Sequence, residues 1–337
     1  MMSEKISVII PVKNEASNIG ALLEALFSQS RMPDEVVITD GGSVDATRDI
    51  IKGYIARGLP IKLIEKEKAF PGEGRNFAAE KSSCSLIAML DAGLVINGDW
   101  LGELAGPLER KSLTQGVYGA YCIKPSGLKE KALAIAYFFS RHRIIRTAPD
   151  GSIYIYPTTE SLAIRRDVFM KTGGFDTNLA VAEDYIFFNK LKKLNINMAI
   201  NEKAVVWRPM PVSDLKELFI RAYSNARHIG LAKHPALIFK ASAFIPIYVI
   251  ILSALPLSFY MSNFYTRISL FVISPVLFFL FRIFPKIRIA NNSGFGADVL
   301  TLRGILFIGY YTFVSDIAQI IGYLSGFIGG TAARSKA

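Results

Sequence analysis

Short apolar runs alternate with amphipathic stretches over the first two thirds of the chain. Four β-branched or apolar strings of strand length lie at residues 5–12, 35–39, 61–65 and 85–90. Each of the first three precedes a stretch in which apolar residues recur every three or four positions, which predicts a helix. Because the connections are short, we expect a parallel α/β sheet with right-handed crossovers, which binds ligands at the carboxyl ends of its strands.

The pattern becomes less regular beyond this first part. Residues 119–123 and 161–165 predict strands, and residues 128–146 predict a helix with a basic end. A further helix is expected at residues 184–194, where Ile, Phe and Leu recur along one side. The α/β pattern ends near residue 207, and we place the boundary of a first domain, residues 1–210, just beyond it.

The rest of the chain is apolar. Residues 241–260 carry no charge and would span about 30 Å as a helix, which is the thickness of a bilayer's hydrocarbon core. Residues 268–281 form a shorter uncharged run, and residues 304–333 are apolar apart from Asp316. We therefore predict a membrane domain, residues 241–333, with two or three transmembrane helices. Asp316 is open to either a functional role or a polar contact between helices.

Residues 211–240 separate the two domains and are amphipathic. Leu and Phe line one side of the expected helix, while Lys and Arg lie elsewhere. This pattern predicts a basic helix at a membrane surface. The chain begins with a charged stretch that lacks a signal-peptide pattern, and cations flank the first predicted span. We expect an integral membrane protein with a cytosolic first domain, in the plasma membrane if the cell is prokaryotic.

Composition and charge narrow the function classes. The 337 residues are 51% hydrophobic with a mean hydropathy of +0.32, which excludes a disordered chain. The net charge is +11, and the apolar tail holds basic residues almost without acidic ones. Such a distribution favours anionic lipids over nucleic acid as the partner. The two cysteines, Cys84 and Cys122, form neither a disulfide framework nor a zinc motif.

Two carboxylates follow neighbouring strands of the predicted sheet. Asp40 comes after the second strand and Asp91 after the fourth, so both can face one crevice. A carboxylate there can accept hydrogen bonds from a base or ribose, and it can bind Mg²⁺ or Mn²⁺ beside phosphates. Asp is also an ordinary turn former at such positions, and this alternative stays open for each residue taken singly.

Two predicted helix starts carry further candidates. Arg75 lies in the first turn after Pro71 and Gly72, where a guanidinium beside a helix N-terminus suits a diphosphate. Glu183 and Asp184 open the later helix, where acids also commonly stabilise the helix dipole. A solvated arginine and a simple dipole interaction are the respective structural alternatives.

All these pieces occur together and in order, and in this respect the sequence resembles the family 2 glycosyltransferases. The resemblance covers roughly the first two thirds of the chain. It rests on residues 8–15 (VIIPVKNE), 39–45 (TDGGSVD), 74–76 (GRN), 90–93 (LDAG), 173–176 (GGFD) and 183–184 (ED). It implies a GT-A fold, which is Rossmann-like, a nucleotide-sugar donor, and inversion at the anomeric carbon.

The resemblance also implies roles for individual residues. It assigns the nucleotide pocket to Pro11, Asn14 and Glu15, with Asp40 on the base or ribose. It makes Arg75 a contact near the diphosphate and Asp91 the first acid of the metal-binding DxD motif. Asp184 becomes the general base of an acidic pair with Glu183. The basic segment with Arg221 and Arg227 resembles one that lies near the acceptor and diphosphate in membrane-bound members, although a solvated basic face fits it equally.

Two departures from the family pattern affect the expected cofactor, Mg²⁺ or Mn²⁺. Thr39 replaces the usual acid before Asp40, and Gly93 replaces the second acid of the DxD motif. Asp91 is therefore the one evident side-chain ligand of the metal. Asp45 and Glu183 are candidates to compensate.

From these features we expect an inverting, hexosyltransferase-type enzyme of glycan or polysaccharide biosynthesis. Its acceptor is expected to be a lipid-linked molecule, either a polyprenyl phosphate or a saccharide lipid, because a soluble acceptor needs no site held at a bilayer. Two alternatives remain open: an inactive membrane scaffold of the same fold, and another nucleotide-sugar enzyme such as a nucleotidyltransferase. No G-x-G-x-x-G motif follows a predicted strand, which disfavours a dinucleotide-dependent oxidoreductase.

Overall fold

A computed structural model describes residues 4–110, 113–138, 144–232, 275–294 and 297–334. The chain divides into two compact units. We call the first, Met1–Ile123 with Tyr154–Pro209, the sheet unit, and the second, Lys124–Ile153 with Met210–Ala337, the helical unit. The sequence gives no sign that residues 124–153 group with the C-terminal part of the chain.

The sheet unit alternates strands and helices over its first 90 residues, as the hydrophobic pattern predicts. Its strands are β1 (Ile6–Val12), β2 (Glu35–Asp40), β3 (Ile61–Glu65), β4 (Leu86–Leu90), β5 (Val95–Ile96), β6 (Gly116–Ile123), β8 (Ile153–Tyr156), β9 (Ser161–Arg165) and β10 (Met198–Trp207). Its helices are α1 (Ile19–Phe27), α2 (Thr47–Ala56), α3 (Pro71–Lys81), α4 (Trp100–Arg110), α6 (Arg166–Lys171) and α7 (Glu183–Lys193).

The strands form a mixed sheet in the order β3-β2-β1-β4-β9-β6-β10-β5. Strands β3, β2, β1 and β4 are parallel, as expected from the sequence. The expectation of a wholly parallel sheet is wrong, because β9 runs antiparallel to both β4 and β6, and β5 runs antiparallel to β10. Strand β9 comes more than 70 residues after its partner β4, so the local sequence does not show whether the two strands pair parallel or antiparallel.

Strand register aligns the polar ends of the first strands. Val12, the last residue of β1, lies opposite Asp40, the last residue of β2, and Asp40 lies opposite Glu65 of β3. Strands β2 and β4 are buried along their whole length, which is typical of a sheet covered on both faces. The loops after β1, β2 and β4 therefore leave the sheet at one edge.

An aromatic cluster fixes the later helices against this sheet. Phe169 of α6, Phe175 of the loop before α7, and Phe187 of α7 pack together with ring centroids 4.4 to 5.9 Å apart. They belong to a buried core that includes Ile9 of β1 and Met89 of β4. Burial of aromatic side chains of this size dominates core energetics. The cluster therefore places the start of α7 beside the same sheet edge.

The helical unit consists mainly of long helices. Its elements are α5 (Gly127–Phe138), β7 (Ile144–Thr147), α8 (Leu215–Ala232), a π-helical segment (Phe279–Ile283), α9 (Phe284–Asn292), a 3₁₀ turn (Ala297–Leu300) and α10 (Leu302–Arg334). The helix expected at residues 128–146 is partly wrong, since residues 144–147 form a strand. Within residues 211–240, where an amphipathic interfacial helix is expected, the structure has α8 at Leu215–Ala232, and residues 233–240 lie outside the described residues. A position at a membrane surface stays a prediction.

Two glycines let α8 and α10 approach closely. A Cβ added at Gly322 would lie 2.2 Å from the carbonyl oxygen of Tyr223, and one added at Gly326 would lie 2.1 Å from that of Arg227. The hydroxyl groups of Tyr223 and Ser325 lie 3.2 Å apart at the same crossing. Small residues four apart allow helix backbones to touch in this way. One side of α8 thus packs on α10 along its length.

One helix among the described residues, Leu302–Gly326 of α10, is long and apolar enough to cross a membrane. Within it, Asp316 is 1% exposed and accepts two hydrogen bonds from Arg282, of 2.7 Å and 2.5 Å. Asp316 is therefore a polar contact between segments of this unit. The first predicted span, residues 241–260, lies outside the described residues, as does most of the second, residues 268–281.

The close crossing of α8 and α10 predicts a size limit at Gly322. Gly322→Leu should lower the thermal unfolding midpoint of the detergent-solubilised chain by several degrees, because the new side chain meets the backbone of α8. Gly53→Ala on α2 is the matched control, since nothing lies within 4 Å of a Cβ there. The control should be neutral or stabilising by about 0.5–1 kcal/mol. Equal midpoints for Gly322→Leu and wild type would contradict the crossing.

Candidate active site

A single buried guanidinium connects carboxylates from distant parts of the sheet unit. Arg75 of α3 is 1% exposed. Its Nη2 lies 2.5 Å from Oδ1 of Asp91, and its Nη1 lies 3.1 Å from Oε1 of Glu183, which is 108 residues away in sequence. Asp91 comes from the loop after β4, and Glu183 opens α7. The arrangement brings together three residues that the sequence singles out separately.

Glycines in the first turn of α3 make room for this contact. A Cβ at Gly72 would lie 3.0 Å from side-chain atoms of Phe175 and Glu183, and one at Gly74 would lie 3.2 Å from Cβ of Pro11. The start of α3 therefore packs directly on the end of β1 and on the start of α7. Arg75 points into the space between them, with its guanidinium 5.4 Å from the ring centre of Phe175.

Asn76 is a site residue whose role sequence reasoning missed, although it belongs to the Gly-Arg-Asn string. Its Nδ2 donates to the carbonyl of Phe175, and its Oδ1 accepts from the amide of Phe175, both at 2.9 Å. Gly174 beside it has φ of +64°, and a Cβ there would lie 2.4 Å from Oδ1 of Asn76. Asn76 thereby fixes the loop that leads to α7.

The guanidinium of Arg75 faces carboxylates. Arg75 is 1% exposed and is bound to both Asp91 and Glu183. This position indicates a structural role, which is to hold Asp91 and Glu183 together. The expected contact of Arg75 near the diphosphate stays a prediction.

The two members of the acidic pair differ in environment. Glu183 is buried, and burial raises the pKa of its carboxyl group, while the positive charge of Arg75 opposes that rise. Asp184 is half-buried, and its Oδ1 accepts a hydrogen bond of 2.7 Å from the amide of Tyr185. Of the pair, Asp184 is therefore the more accessible carboxylate and the better placed to exchange a proton with a bound molecule.

Asp40 is fully buried and is held by its own loop. Its Oδ1 accepts hydrogen bonds from the amides of Gly42 and Ser43, at 3.1 and 3.0 Å, and from Nε of Arg48 at 2.7 Å. Burial opposes ionisation of Asp40, but the hydrogen bonds from Ser43, Arg48 and Gly42 outweigh it and hold the pKa below its ordinary value. Sequence reasoning missed Arg48, which no motif marks.

The other carboxylate oxygen of Asp40 lacks a donor. Oδ2 is buried and has no hydrogen-bond partner among the described residues. A buried acceptor without a partner is costly, so a donor from a bound molecule would stabilise it. The N–H of a nucleobase or a ribose hydroxyl is a donor of the required kind.

The loops after β1 and β2 are joined by hydrogen bonds. The amide of Asn14 donates to Oγ of Ser43 at 2.9 Å, and its Oδ1 accepts from the amide of Val44 at 2.9 Å. The amide of Glu15 donates to Oγ1 of Thr47 at 2.8 Å. Asn14 has φ of +56°, a conformation that Asn tolerates better than most residues. Asn14 and Glu15, two of the predicted nucleotide-pocket residues, therefore lie on a loop that is hydrogen-bonded to the loop after Asp40, and Pro11 lies in β1 just before them.

The donors available to a divalent cation are carboxylates near the turn after β4. No group of three His, Cys, Asp or Glu side chains converges as a metal site in the described part of the chain. Asp91 is 25% exposed, and a Cβ added at Gly93 would lie 3.3 Å from Oε2 of Glu15. Oxygen ligands of this type suit Mg²⁺ or Mn²⁺, so the residues present fit such an ion.

Arg221 and Arg227, the expected acceptor or diphosphate contacts, belong to α8 of the helical unit. Both are exposed, and Arg221 forms an ion pair of 3.3 Å with Glu217 one helical turn earlier. Surface pairs of this type contribute little to stability. Their role toward a ligand stays a prediction.

Comparison with known proteins agrees with this fold. Residues 7–173 match the family described as Glycosyl transferase family 2. The chain is 39% identical over 100 residues to glycosyltransferase AglE of Haloferax volcanii, covering 28% of this chain and 33% of that protein. It is 26% identical over 214 residues to the O-antigen chain rhamnosyltransferase RfbN of Salmonella typhimurium, covering 60% of this chain and 65% of that protein.

The fold is similar to that of a solved glycosyltransferase. The mannosyltransferase PcManGT of Pyrobaculum calidifontis, in complex with GDP-Man and Mn²⁺, superposes with a TM-score of 0.55 at 17% identity. The match covers 96% of this chain and 88% of that one. The chain spans about a third of the length of AglE and 27% of that of a validoxylamine A glucosyltransferase from Streptomyces hygroscopicus.

The mixed α/β sheet, with its acids at the carboxyl ends of β2 and β4, defines a GT-A fold. The chain carries a domain of the Glycosyl transferase family 2 over residues 7–173. This confirms the resemblance found in the sequence.

Removal of the central guanidinium should destabilise the sheet unit. Arg75→Met keeps most of the side-chain volume but leaves Glu183 buried without its cation, which typically costs about 3–5 kcal/mol. Adding Glu183→Gln should recover part of that loss. Chemical denaturation of the full chain in detergent measures both effects. Arg57→Met is the control, because the Arg57 side chain is 58% exposed in its pair with Glu24. A loss no larger than in this control would contradict the role of Arg75.

Proposed function

We propose that the chain is an inverting glycosyltransferase of glycan biosynthesis. It moves a sugar from a nucleoside-diphosphate sugar to a lipid-linked acceptor at the cytosolic face of a membrane. One observation carries the proposal: Arg75 holds Asp91, at the end of β4, and Glu183, beside Asp184, on one guanidinium. Asp91 and the Glu183–Asp184 pair thus lie at the same edge of the sheet, which supports a metal role for Asp91 and a base role for Asp184.

The nucleotide is proposed to bind over the ends of β1 and β2. The buried Oδ2 of Asp40 has no partner among the described residues and would accept a hydrogen bond from the base or ribose. Pro11, Asn14 and Glu15 lie on the adjoining strand end and loop and would line the pocket. The bond network between the two loops fixes this pocket before the ligand arrives, which lowers the entropy cost of binding.

In the reaction, Asp184 takes the proton of the acceptor hydroxyl as its oxygen attacks the anomeric carbon. The bond from that oxygen to carbon forms on one face while the bond from carbon to the diphosphate oxygen breaks on the other, so the configuration inverts. The nucleoside diphosphate leaves with the electron pair. Arg75 keeps Glu183 in place beside Asp184. A divalent cation bound at Asp91 would neutralise charge on the diphosphate.

Membrane attachment is proposed from the surface of α10. Large apolar side chains recur on it every three or four residues and are exposed: Leu302, Leu306, Tyr310, Phe313, Ile321, Leu324 and Ile328. Such a stripe in water is unfavourable, whereas lipid chains would cover it. The uncharged residues 241–260 are proposed as a further span. The chain is thus an integral membrane protein, with α8 presenting Arg221 and Arg227 to acceptor phosphate.

The polysaccharide setting is supported by the relative from Salmonella, which is named as an O-antigen chain rhamnosyltransferase. The mannosyltransferase of similar fold is bound to GDP-Man and Mn²⁺. By analogy we propose a nucleotide sugar and a divalent cation here as well, with UDP- and GDP-sugars the first donors to test.

Loss of the proposed base should separate transfer from binding. Asp184→Asn should lower the rate of transfer by about 10²- to 10⁴-fold, because a general base typically contributes that much. Donor binding, measured by calorimetry, should stay near the wild-type value. Asp167→Asn is the matched control, since that side chain is 67% exposed on α6. Near-normal turnover of Asp184→Asn would identify another residue as the base.

The acceptor class can be tested with membranes. Purified chain in nanodiscs, given labelled nucleotide sugar and a lipid extract of the source membranes, should place label in a product that partitions into organic solvent. Pre-treatment of that extract with a phosphatase tests for an acceptor phosphate. Label found only in water-soluble product would contradict the lipid-linked acceptor while leaving glycosyl transfer intact.

A further inference from the structure

The turn after β4 lacks the second carboxylate of the family's metal motif. Gly93 occupies that position and has φ of +79°, a left-handed conformation that most residues avoid. We propose that Glu15, from the loop after β1, supplies the missing carboxylate and binds the divalent cation together with Asp91. The inference rests on the proposed function, since it concerns the cation that accompanies the nucleotide.

The position of the Glu15 side chain carries this proposal. Its two carboxylate oxygens lie 3.3 and 3.8 Å from the point where a Cβ at Gly93 would be. The carboxylate of an acid at position 93 would have to occupy the same region. The side chain of Glu15 therefore enters the space that Gly93 leaves open, and Gly93 is two residues beyond Asp91 in the turn.

The carboxylate of Glu15 is also held in this place. Nδ2 of Asn18 donates a hydrogen bond of 2.8 Å to Oε2 of Glu15. The backbone amide of Glu15 donates to Oγ1 of Thr47, also at 2.8 Å. The amide of Ala16, the next residue, donates to Oδ2 of Asp45 at 3.1 Å. A hydrogen bond to a ligating carboxylate is the support that metal ligands usually have.

The other two carboxylates that could compensate are already engaged. Asp45 accepts from the amide of Ala16 through Oδ2, and from the amide and hydroxyl of Thr47 through Oδ1. Glu183 is buried against Arg75. Glu15 is half-buried and accepts a side-chain hydrogen bond through Oε2 alone among the contacts described above, and its carboxylate lies beside Gly93 in the turn of the motif.

Binding of Mn²⁺ to the full chain in detergent, followed by its EPR signal with and without UDP or GDP, tests the assignment. Glu15→Gln should weaken nucleotide-dependent Mn²⁺ binding by at least about 10-fold, the lower end of the loss from removing an outer-shell partner. Asp91→Asn should do the same. Glu24→Gln, on the exposed side of α1, is the matched control and should bind as wild type does.

A second variant tests whether Glu15 replaces the motif acid. Gly93→Asp restores the acid, and Asp tolerates a positive φ better than most residues. Combined with Glu15→Gln, it should recover most of the lost Mn²⁺ affinity. Gly93→Asp alone should gain little, because the new carboxylate meets that of Glu15. Binding by the double variant no tighter than by Glu15→Gln alone would count against the proposal.

The outcomes separate this inference from the proposed function. Wild-type Mn²⁺ binding by Glu15→Gln, with loss in Asp91→Asn, overturns the role of Glu15 and leaves the transferase intact. Full transfer in excess chelator overturns the metal role of both residues, again without touching transfer. Loss of Mn²⁺ binding in Glu15→Gln supports the metal site. If the wild-type chain then transfers sugar from no nucleotide sugar, the proposed function is contradicted.

Discussion

The site depends on one desolvated guanidinium. Arg75 is held between Asp91 and Glu183 and is nearly inaccessible to solvent. Two carboxylates this close would repel each other without it, and Glu183 would be an isolated charge in a buried position. Gly72 and Gly74 allow α3 to approach both β1 and α7, and this approach lets the guanidinium reach Asp91 and Glu183. Sheet, helix starts and acids are thus coupled through a single side chain.

Much of the fold could be predicted where structure is locally encoded. The parallel strands β1 to β4 are short apolar runs, and the helices between them have clear periodicity, so their positions and the placement of Asp40 and Asp91 at strand ends follow from the sequence. The direction of β9 could not be predicted, because it depends on pairing with β4, more than 70 residues earlier. Strand β7 could not be predicted either, because it lies at the end of a stretch whose residues have helical spacing.

In the candidate site, too, local sequence predicts the residues but not their long-range contacts. Motif strings indicate Asp91, Glu183 and Asp184, and the structure brings Asp91 and Glu183 to one guanidinium. The motif strings do not show which side chains contact each other. Arg75 was expected near a diphosphate, and its guanidinium faces the acids. Asn76 donates a hydrogen bond to the backbone of the loop before α7, and Arg48 donates one to Asp40. Neither contact can be found without the tertiary structure.

The acids around Arg75 outnumber it, and this imbalance has a kinetic consequence. Asp91, Glu183 and the adjoining Asp184 place up to three negative charges beside one positive charge. A nucleoside diphosphate approaching alone would meet repulsion, because its own phosphates are anionic. Under the proposed function, the site would favour a donor that arrives already complexed with its cation over free nucleotide sugar. Availability of the cation, and not donor concentration alone, would then govern the rate of encounter.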